Sequence, residues 1–324
     1  MAKVKLSPSR VKTLMGCGIL YWNTYKLPNP LPRGKNSGSS RGSTVHYVLE
    51  CLIRPDRKER VQKMIQWNDP WIDPATKRLA RIHADKLDVG DEENFEMIRD
   101  FILTALKTDF YLEGAEEVIV EHQFDIKTDD YHIGGFIDKL GVFPDKIKGV
   151  DYKSSKKKFT GDEVTFNLQN YFYTLALREK YPGKPTEFEF QFLKFPKKPV
   201  QDSPSITDDE MKGFKLWLKE ISEFIDNFTL EQAKSMAAKN GGWDKKWMCG
   251  GKIGEMKADG SGPKWICESR YPYVYFLLRD QNGKHISSEK DRSILEKIKK
   301  PGQTIEQHNY PGCSMWQHEW KNNS

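Results

Sequence analysis

The apolar positions recur at two different spacings, and the order of those spacings predicts the architecture. In LSPSRVKTLMGCGILYW, Val11, Leu14 and Met15 fall at helical intervals behind a cap at Ser7 and a proline, Pro8, at the first helical position. KLPNPLPRGKNSGSSRGS follows, rich in Pro, Gly and Ser and positively charged, which predicts a mobile loop. Helical spacing resumes near Thr44, with Val45, Val48, Leu49 and Leu52 on one side. Cys51 falls on that apolar side and reads as core. From about 53 to 115 the chain reads as helical but polar, an insertion or cap.

The period then shortens to two. EEVIVEHQFDI, YHIGGFIDKLGVF and KIKGVDYK predict three strands. GDEVTFNLQNYFYTLALREKY predicts a helix with Phe166, Tyr173 and Leu177 among its apolar positions, stopped by Pro182-Gly183. TEFEFQFLKF alternates strictly through Phe188, Phe190 and Phe192, the mark of a half-buried strand. TDDE opens a further helix with Thr207 and Glu210 placed for a capping box. Beyond Lys239 the chain turns Trp- and Gly-rich, with a hairpin expected at Asn282-Gly283. Helix, three strands, helix, strand, helix is the order of a mixed α/β core. The expected organisation is a core over 1–235 and a Cys- and Trp-containing extension over 236–324.

Charge and composition narrow the classes. With 30% charged and 37% hydrophobic residues the chain suits a globular protein with a moderate core. No apolar run reaches the roughly 20 residues of a membrane span, and MAKVKLSPSR lacks a secretory signal, so an intracellular, cytoplasmic protein is expected. The net charge of +6 permits a polyanionic partner without demanding one. Five scattered cysteines without a signal peptide argue against a disulfide framework.

The hairpin of the second and third strands concentrates the chemistry. If its turn is centred on Pro144-Asp145, Asp138 faces Asp151, with Cβ atoms about 5 Å apart. Like charges so placed are destabilising unless a divalent cation sits between them. Lys153 lies two residues beyond Asp151, hence on the same strand face. A lysine there would position an attacking water or neutralise charge building on a phosphate. The bland alternative is an ordinary Asp/Lys surface hairpin.

GGFIDKL, VDYKSS and NLQNYFY, in this order and spacing, resemble the successive motifs of the RecB-like branch of the PD-(D/E)XK nucleases, a branch that also includes CRISPR-adaptation nucleases. RGSTVHYVLE resembles the helix that carries that branch's metal-binding histidine, and LSPSRVKTLMGCGILYW its usual opening, over roughly residues 5 to 230. The resemblance implies a restriction-endonuclease-like α/β core with a mixed central sheet flanked by helices. It implies Mg²⁺ or Mn²⁺ on His46, Asp138 and Asp151, aided by the Tyr152 carbonyl, with Lys153 catalytic. It implies that Gln169 and Tyr173, one helical turn apart, hold the DNA strand and the lysine. Glu50 and Glu121 are further candidates for touching the metal or its water, whereas His122, His132, His285, His308 and His318 gain no such support. Lys156 and Lys157, with Lys158, would meet the phosphate backbone, as would Arg33, Lys35 and Arg41.

Many relatives bear an iron–sulfur cluster on one early and three late cysteines. Cys17, Cys249, Cys267 and Cys313 are the candidates here, though the late three are widely spaced and Gln317 stands where a further cysteine is expected. Zinc on Cys249, Cys267 and Cys313 with a histidine such as His308 or His318, or no metal at all, remains open. The implied activity is a metal-dependent DNA exonuclease working on single-stranded ends in replication, recombination or repair, with protein partners in such a complex. Alternatives are a CRISPR-adaptation trimming nuclease and a catalytically silent nucleic-acid-binding subunit.

Overall fold

A computed structural model describes residues 3–32, 34, 36–241, 247–260 and 262–317. In chain order the elements that matter are β1 (Lys5–Leu6), α1 (Pro8–Gly16), α2 (Gly18–Tyr25), α3 (Ser37–Leu52), α4 (Lys58–Gln66), α5 (Pro74–Lys86) and α6 (Glu92–Leu106). Then come β2 (Glu117–Lys127), β3 (His132–Val142), β4 (Ile147–Lys153), α7 (Asp162–Thr165), α8 (Leu168–Lys180), β5 (Thr186–Phe192), β6 (Val200–Asp202), α9 (Asp208–Asp226) and α10 (Leu230–Ser235). The last are β7 (Tyr273–Arg279), β8 (His285–Glu289), α11 (Arg292–Ile298) and β9 (Thr304–Tyr310).

These elements group into two compact units: Met1–Pro8 with Lys35–Glu223, and Ser9–Gly34 with Phe224–Ser324. The expected division near 235 placed the opening helix with the core. The contacts instead group it with the last third of the chain, where the Gly18 N–H donates to the Met236 carbonyl at 2.9 Å. The opening segment is also two helices rather than one, because Cys17 adopts extended backbone between α1 and α2.

The first unit is built on a six-stranded sheet in the order β1-β3-β4-β5-β6, with β2 on the other edge of β3. β3 and β4 are antiparallel, in the register Lys139↔Val150 to Val142↔Ile147 that a turn at Pro144-Asp145 dictates. β4 and β5 are parallel, so α7 and α8 form the crossover between them. β5 is not the half-buried strand its alternation predicted. Its central polar residues, Glu189 and Gln191, are as buried as its phenylalanines. Lys148 reaches Glu189 at 2.8 Å, Gln191 donates to Glu189 at 2.6 Å, and Thr108 donates to Gln191 at 3.1 Å. The polar face of β5 is therefore covered and paired rather than solvated.

Two further expectations are corrected. The stretch from Ser37 is helix, not loop: the Asn36 side chain accepts from the Ser39 N–H at 2.7 Å, and Ser40, Thr44, Val45 and Val48 are buried. Its small residues allow close approach; a Cβ on Gly42 would lie 3.1 Å from the Ser154 hydroxyl just beyond β4. The helical segment α4–α6 is not a polar cap either. Val61, Met64, Phe95, Ile98 and Ile102 share one apolar cluster with α3 and with Val150 and Tyr152 of β4. This packing fixes α3 against the sheet. The capping box of Thr207 and Glu210 is present, with bonds of 2.7 and 3.2 Å.

The second unit carries a three-stranded antiparallel sheet, β8-β7-β9, with the β7–β8 turn at Asn282-Gly283 and Gly283 at φ +76°. Cys17, Cys249 and Cys313 pack beside Ala238 and Trp316. No helix among the described residues is long and apolar enough to cross a membrane.

Candidate active site

The site forms where the sheet opens. The β3–β4 ladder ends at Lys139↔Val150, and β3 passes to β1 only at Ile133. In the gap the Asp138 Oδ2 accepts the Tyr152 N–H at 2.7 Å, taking a donor that would otherwise seek a strand partner. Its other oxygen lies 3.3 Å from His46 Nδ1. His46 projects from α3, and its ring stands edge-on to Tyr152 at 5.8 Å. On the other side of β3, the β2 ladder skips the pair that would join Glu121 to Asp138. Glu121 sits there at φ +46°, a left-handed conformation rare for a residue with a side chain.

One ligand atom from each of His46, Glu121 and Asp138 lies within 4.8 Å of the other two, and among the described residues this is the group so disposed. Glu50 lines the same small hollow of about 10 Å³, near the room that one water or one bare cation needs. Two carboxylates and an imidazole are a donor set for a divalent cation. The electrostatics agree. Burial disfavours the His46 imidazolium, but the hydrogen bond and charge of Asp138, with Asp151 and Glu121 behind, raise its pKa to about 9. Burial, then Asp138, pushes the Glu121 carboxyl up. A cation would relieve this crowding of negative charge.

Asp151 and Lys153 form the second half. Asp151 is buried, and burial lifts its pKa to about 6, with Lys153 opposing the rise. Lys153 Nζ pairs with Asp151 Oδ2 and donates to Gln169 Oε1 at 2.8 Å. The Gln169 amide donates to Asp151 Oδ1 at 3.2 Å and lies 3.1 Å from the Tyr173 hydroxyl. One glutamine side chain thus spans carboxylate, ammonium and phenol. The predicted helix breaks to allow this: Asn167 caps α8 and accepts from the Gln169 and Asn170 N–H groups. Phe166, expected among the apolar helix positions, is left 64% exposed in the break.

The structure therefore brings together His46, Asp138, Asp151, Lys153, Gln169 and Tyr173. It adds Glu121 to the metal-ligand candidates more closely than Asp151, whose oxygens are engaged by Lys153 and Gln169. The sequence signal for Glu121 was its place on the strand before the hairpin; the backbone twist that aims it was not legible. Lys156 and Lys157 are exposed just past β4. Lys158 is not free for phosphate, since its ammonium donates to the Lys198 and Val200 carbonyls. Arg41 lies within α3 and donates to Asn94; Arg33, Lys35 and His318 lie outside the described residues. His308 pairs with Glu306 at 3.1 Å.

In the second unit Cys17, Cys249, Cys267 and Cys313 all line one cavity of about 800 Å³, as unbridged thiols. Burial raises the Cys267 thiol to about 11, with Cys17, Cys313 and Cys249 adding to the rise. Arg270, itself buried, donates to the Cys249 and Gly250 carbonyls and lies 3.8 Å over the Trp316 ring. Thiolates on one tetrahedral zinc stand about 3.8 Å apart; no three of these thiols gather within 4.8 Å among the described residues. Cys51 stands apart, half-buried on α3 rather than in the core.

Carboxylates, an imidazole and a lysine thus gather at the open edge of a mixed sheet. The model of the PD-(D/E)XK nuclease superfamily matches residues 5–250, and the chain belongs to that superfamily of nucleases. Similar solved structures include a "putative exonuclease" from Eubacterium rectale, at 14% identity over 73% of this chain and 82% of that one, TM-score 0.41. Protein VC1899 from Vibrio cholerae is another, at 13% identity over 71% of this chain and 58% of that one, TM-score 0.22. No curated protein matches the sequence.

Proposed function

We propose that the protein is a divalent-metal-dependent deoxyribonuclease, an exonuclease that hydrolyses phosphodiesters at single-stranded DNA ends in replication, recombination or repair. The observation that carries this reading is the Lys153–Asp151–Gln169 group beside His46, Glu121 and Asp138. His46, Glu121 and Asp138, with Asp151 adjoining, would hold Mg²⁺ or Mn²⁺. Such a cation lowers the pKa of water and takes up charge on the phosphate. Lys153, fixed at Nζ by Asp151 and Gln169, orients the water for in-line attack and offsets charge on the phosphoryl oxygens. Gln169 holds the lysine in place, and Tyr173 holds Gln169. Burial of Asp151 and Tyr152 keeps bulk water from the back of the site.

In the second unit we propose an iron–sulfur cluster on Cys17, Cys249, Cys267 and Cys313, supported by four thiols around one cavity at wider than single-metal spacing. Protein purified without oxygen should absorb near about 400 nm and contain iron and sulfide; zinc in place of both would replace this assignment. For the nuclease, end-labelled single- and double-stranded DNA is incubated with Mg²⁺ or Mn²⁺ beside Asp151→Ala and Lys153→Ala. Wild type should shorten labelled ends and both variants should leave them intact. Equal survival of the DNA with all three proteins refutes the reading.

A further inference from the structure

Two loops leave the sheet side by side next to the candidate site. β4 and β5 are paired from Ile147↔Thr186 to Lys153↔Phe192, and the Leu193 N–H still donates to the Lys153 carbonyl at 2.9 Å. Both strands therefore release their chains at one edge, the carboxyl ends of parallel strands where α/β sheets place their ligands. One exit reads Ser154-Ser155-Lys156-Lys157-Lys158, the other Leu193-Lys194-Phe195-Pro196-Lys197-Lys198. Lys156, Lys157, Lys197 and Lys198 are exposed; Lys194 is half-buried, its ammonium 5.9 Å over the Phe101 ring.

These five lysines differ from those of α9 in the same unit. Lys212, Lys215 and Lys219 of α9 pair with Asp209, Glu179 and Asp130 at 2.9, 2.9 and 3.1 Å. Among the described residues the five loop lysines have no carboxylate partner. They are close enough to repel: burial, and then the charges of Lys156 and Arg41, make the Lys194 ammonium more acidic. The open hollow lined by Lys194, Lys197 and Lys198 of the second loop together with Lys158 of the first, about 810 Å³, has a single acid, Asp202, in its lining. Unneutralised cations gathered at a concave surface attract a polyanion, and flexible ammonium groups read charge rather than sequence.

Lys158 does something else. Its ammonium donates to the Lys198 and Val200 carbonyls and lies 5.8 and 5.7 Å over the Phe192 and Phe195 rings. Beside it, the Phe159 N–H donates to Gln201 at 3.2 Å and Gln201 donates back to the Phe159 carbonyl at 3.0 Å. The first loop is thereby stapled to the second.

We propose that the two loops form one track for the sugar–phosphate backbone of a single strand leaving the candidate site. Lys194, Lys197 and Lys198 contact phosphates together with Lys156 and Lys157, and Lys158 is a positioning residue that sets the loop spacing. This rests on the nuclease reading for the identity of the polyanion. The consequence is a preference for strands long enough to reach from the metal centre to the β5–β6 loop.

The test is binding of a fluorescein-labelled single-stranded 20-mer, by anisotropy, in Ca²⁺ across a salt series. With about 0.7 counterions released per phosphate contact on single strands, K194Q/K197Q/K198Q should reduce the log–log salt slope by about 2. It should weaken binding at least tenfold near about 0.1 M salt. K212Q/K215Q/K219Q removes the same charge from paired sites and should stay within about twofold of wild type. K158M should lower the slope by more than the roughly 0.7 of one contact, because both loops loosen. An unchanged slope in the loop variant, or equal losses in the α9 variant, overturns the track; a K158M change of one contact or less overturns the staple. Cleavage of the same 20-mer with Mn²⁺ is measured separately. Wild type that binds without cleaving defeats the nuclease reading and leaves the binding comparison to decide the track. Wild type that does not bind defeats both.

Discussion

Glu121 is the residue at which structure and chemistry pull hardest against each other. Its left-handed backbone costs roughly 1 kcal/mol, and it adds a half-buried carboxylate to a group already holding Asp138 and Asp151. Such costs are expected where function sets the geometry. Glu121→Gln should therefore raise metal-free stability by about 1 kcal/mol in urea unfolding while lowering DNA cleavage about 100-fold. A variant that lost stability and kept activity would show that the carboxylate serves the fold. Lys153→Arg should be as inactive as Lys153→Ala, because a planar guanidinium cannot take the Asp151–Gln169 seat of a compact ammonium; the DNA-end assay compares them. His46 carries a proton below about pH 9 in the metal-free site, and a ligand imidazole must be neutral. Metal binding at pH 7 thus expels a proton, so affinity should rise with pH and level off above about 9. Calorimetry in two buffers of different ionisation enthalpy measures that proton.

At the scale of elements, legibility followed the local rules. The β3–β4 register was readable because a short turn fixes which residues face one another, and the α9 start because its capping box lies within four residues. β5 was misread because alternation cannot tell a polar face in water from a polar face paired with Lys148 and Thr108. α3 was misread because Ser and Gly are weak helix formers, and tertiary burial of Ser40 and Thr44 overrode that preference. Asp138, Asp151, Lys153 and His46 were legible through ordered motifs, whereas the Gln169 bridge needed the break at Phe166 and Asn167. The buried pair on β5 makes its own prediction. Glu189→Ala leaves Lys148 facing a dry interior and should cost about 3 kcal/mol, read in urea unfolding as a fall in the midpoint. Lys148 is about one-fifth exposed, which softens but does not remove the penalty.

At the scale of the whole molecule, the two candidate metal groups rest on different donors: two carboxylates and an imidazole in the first unit, four thiols around one cavity in the second. Their chemistry should separate accordingly. EDTA should abolish cleavage, with full recovery on adding Mn²⁺, and leave absorption near about 400 nm unchanged. Air should bleach that band, and Mn²⁺ should not bring it back. Loss of both signals under EDTA alone would mean one shared metal demand.

The second unit is written in two pieces, Ser9–Gly34 and Phe224–Ser324, with Lys35–Glu223, nearly all of the first unit, between them. A ribosome delivers the chain in order, so the nuclease unit is complete and free to fold while the opening helices still wait for their partners. A message cut short after Glu223 yields the candidate-site residues but leaves Tyr21 without the Phe228 ring it packs against, an exposed apolar handle by which quality control would find the fragment.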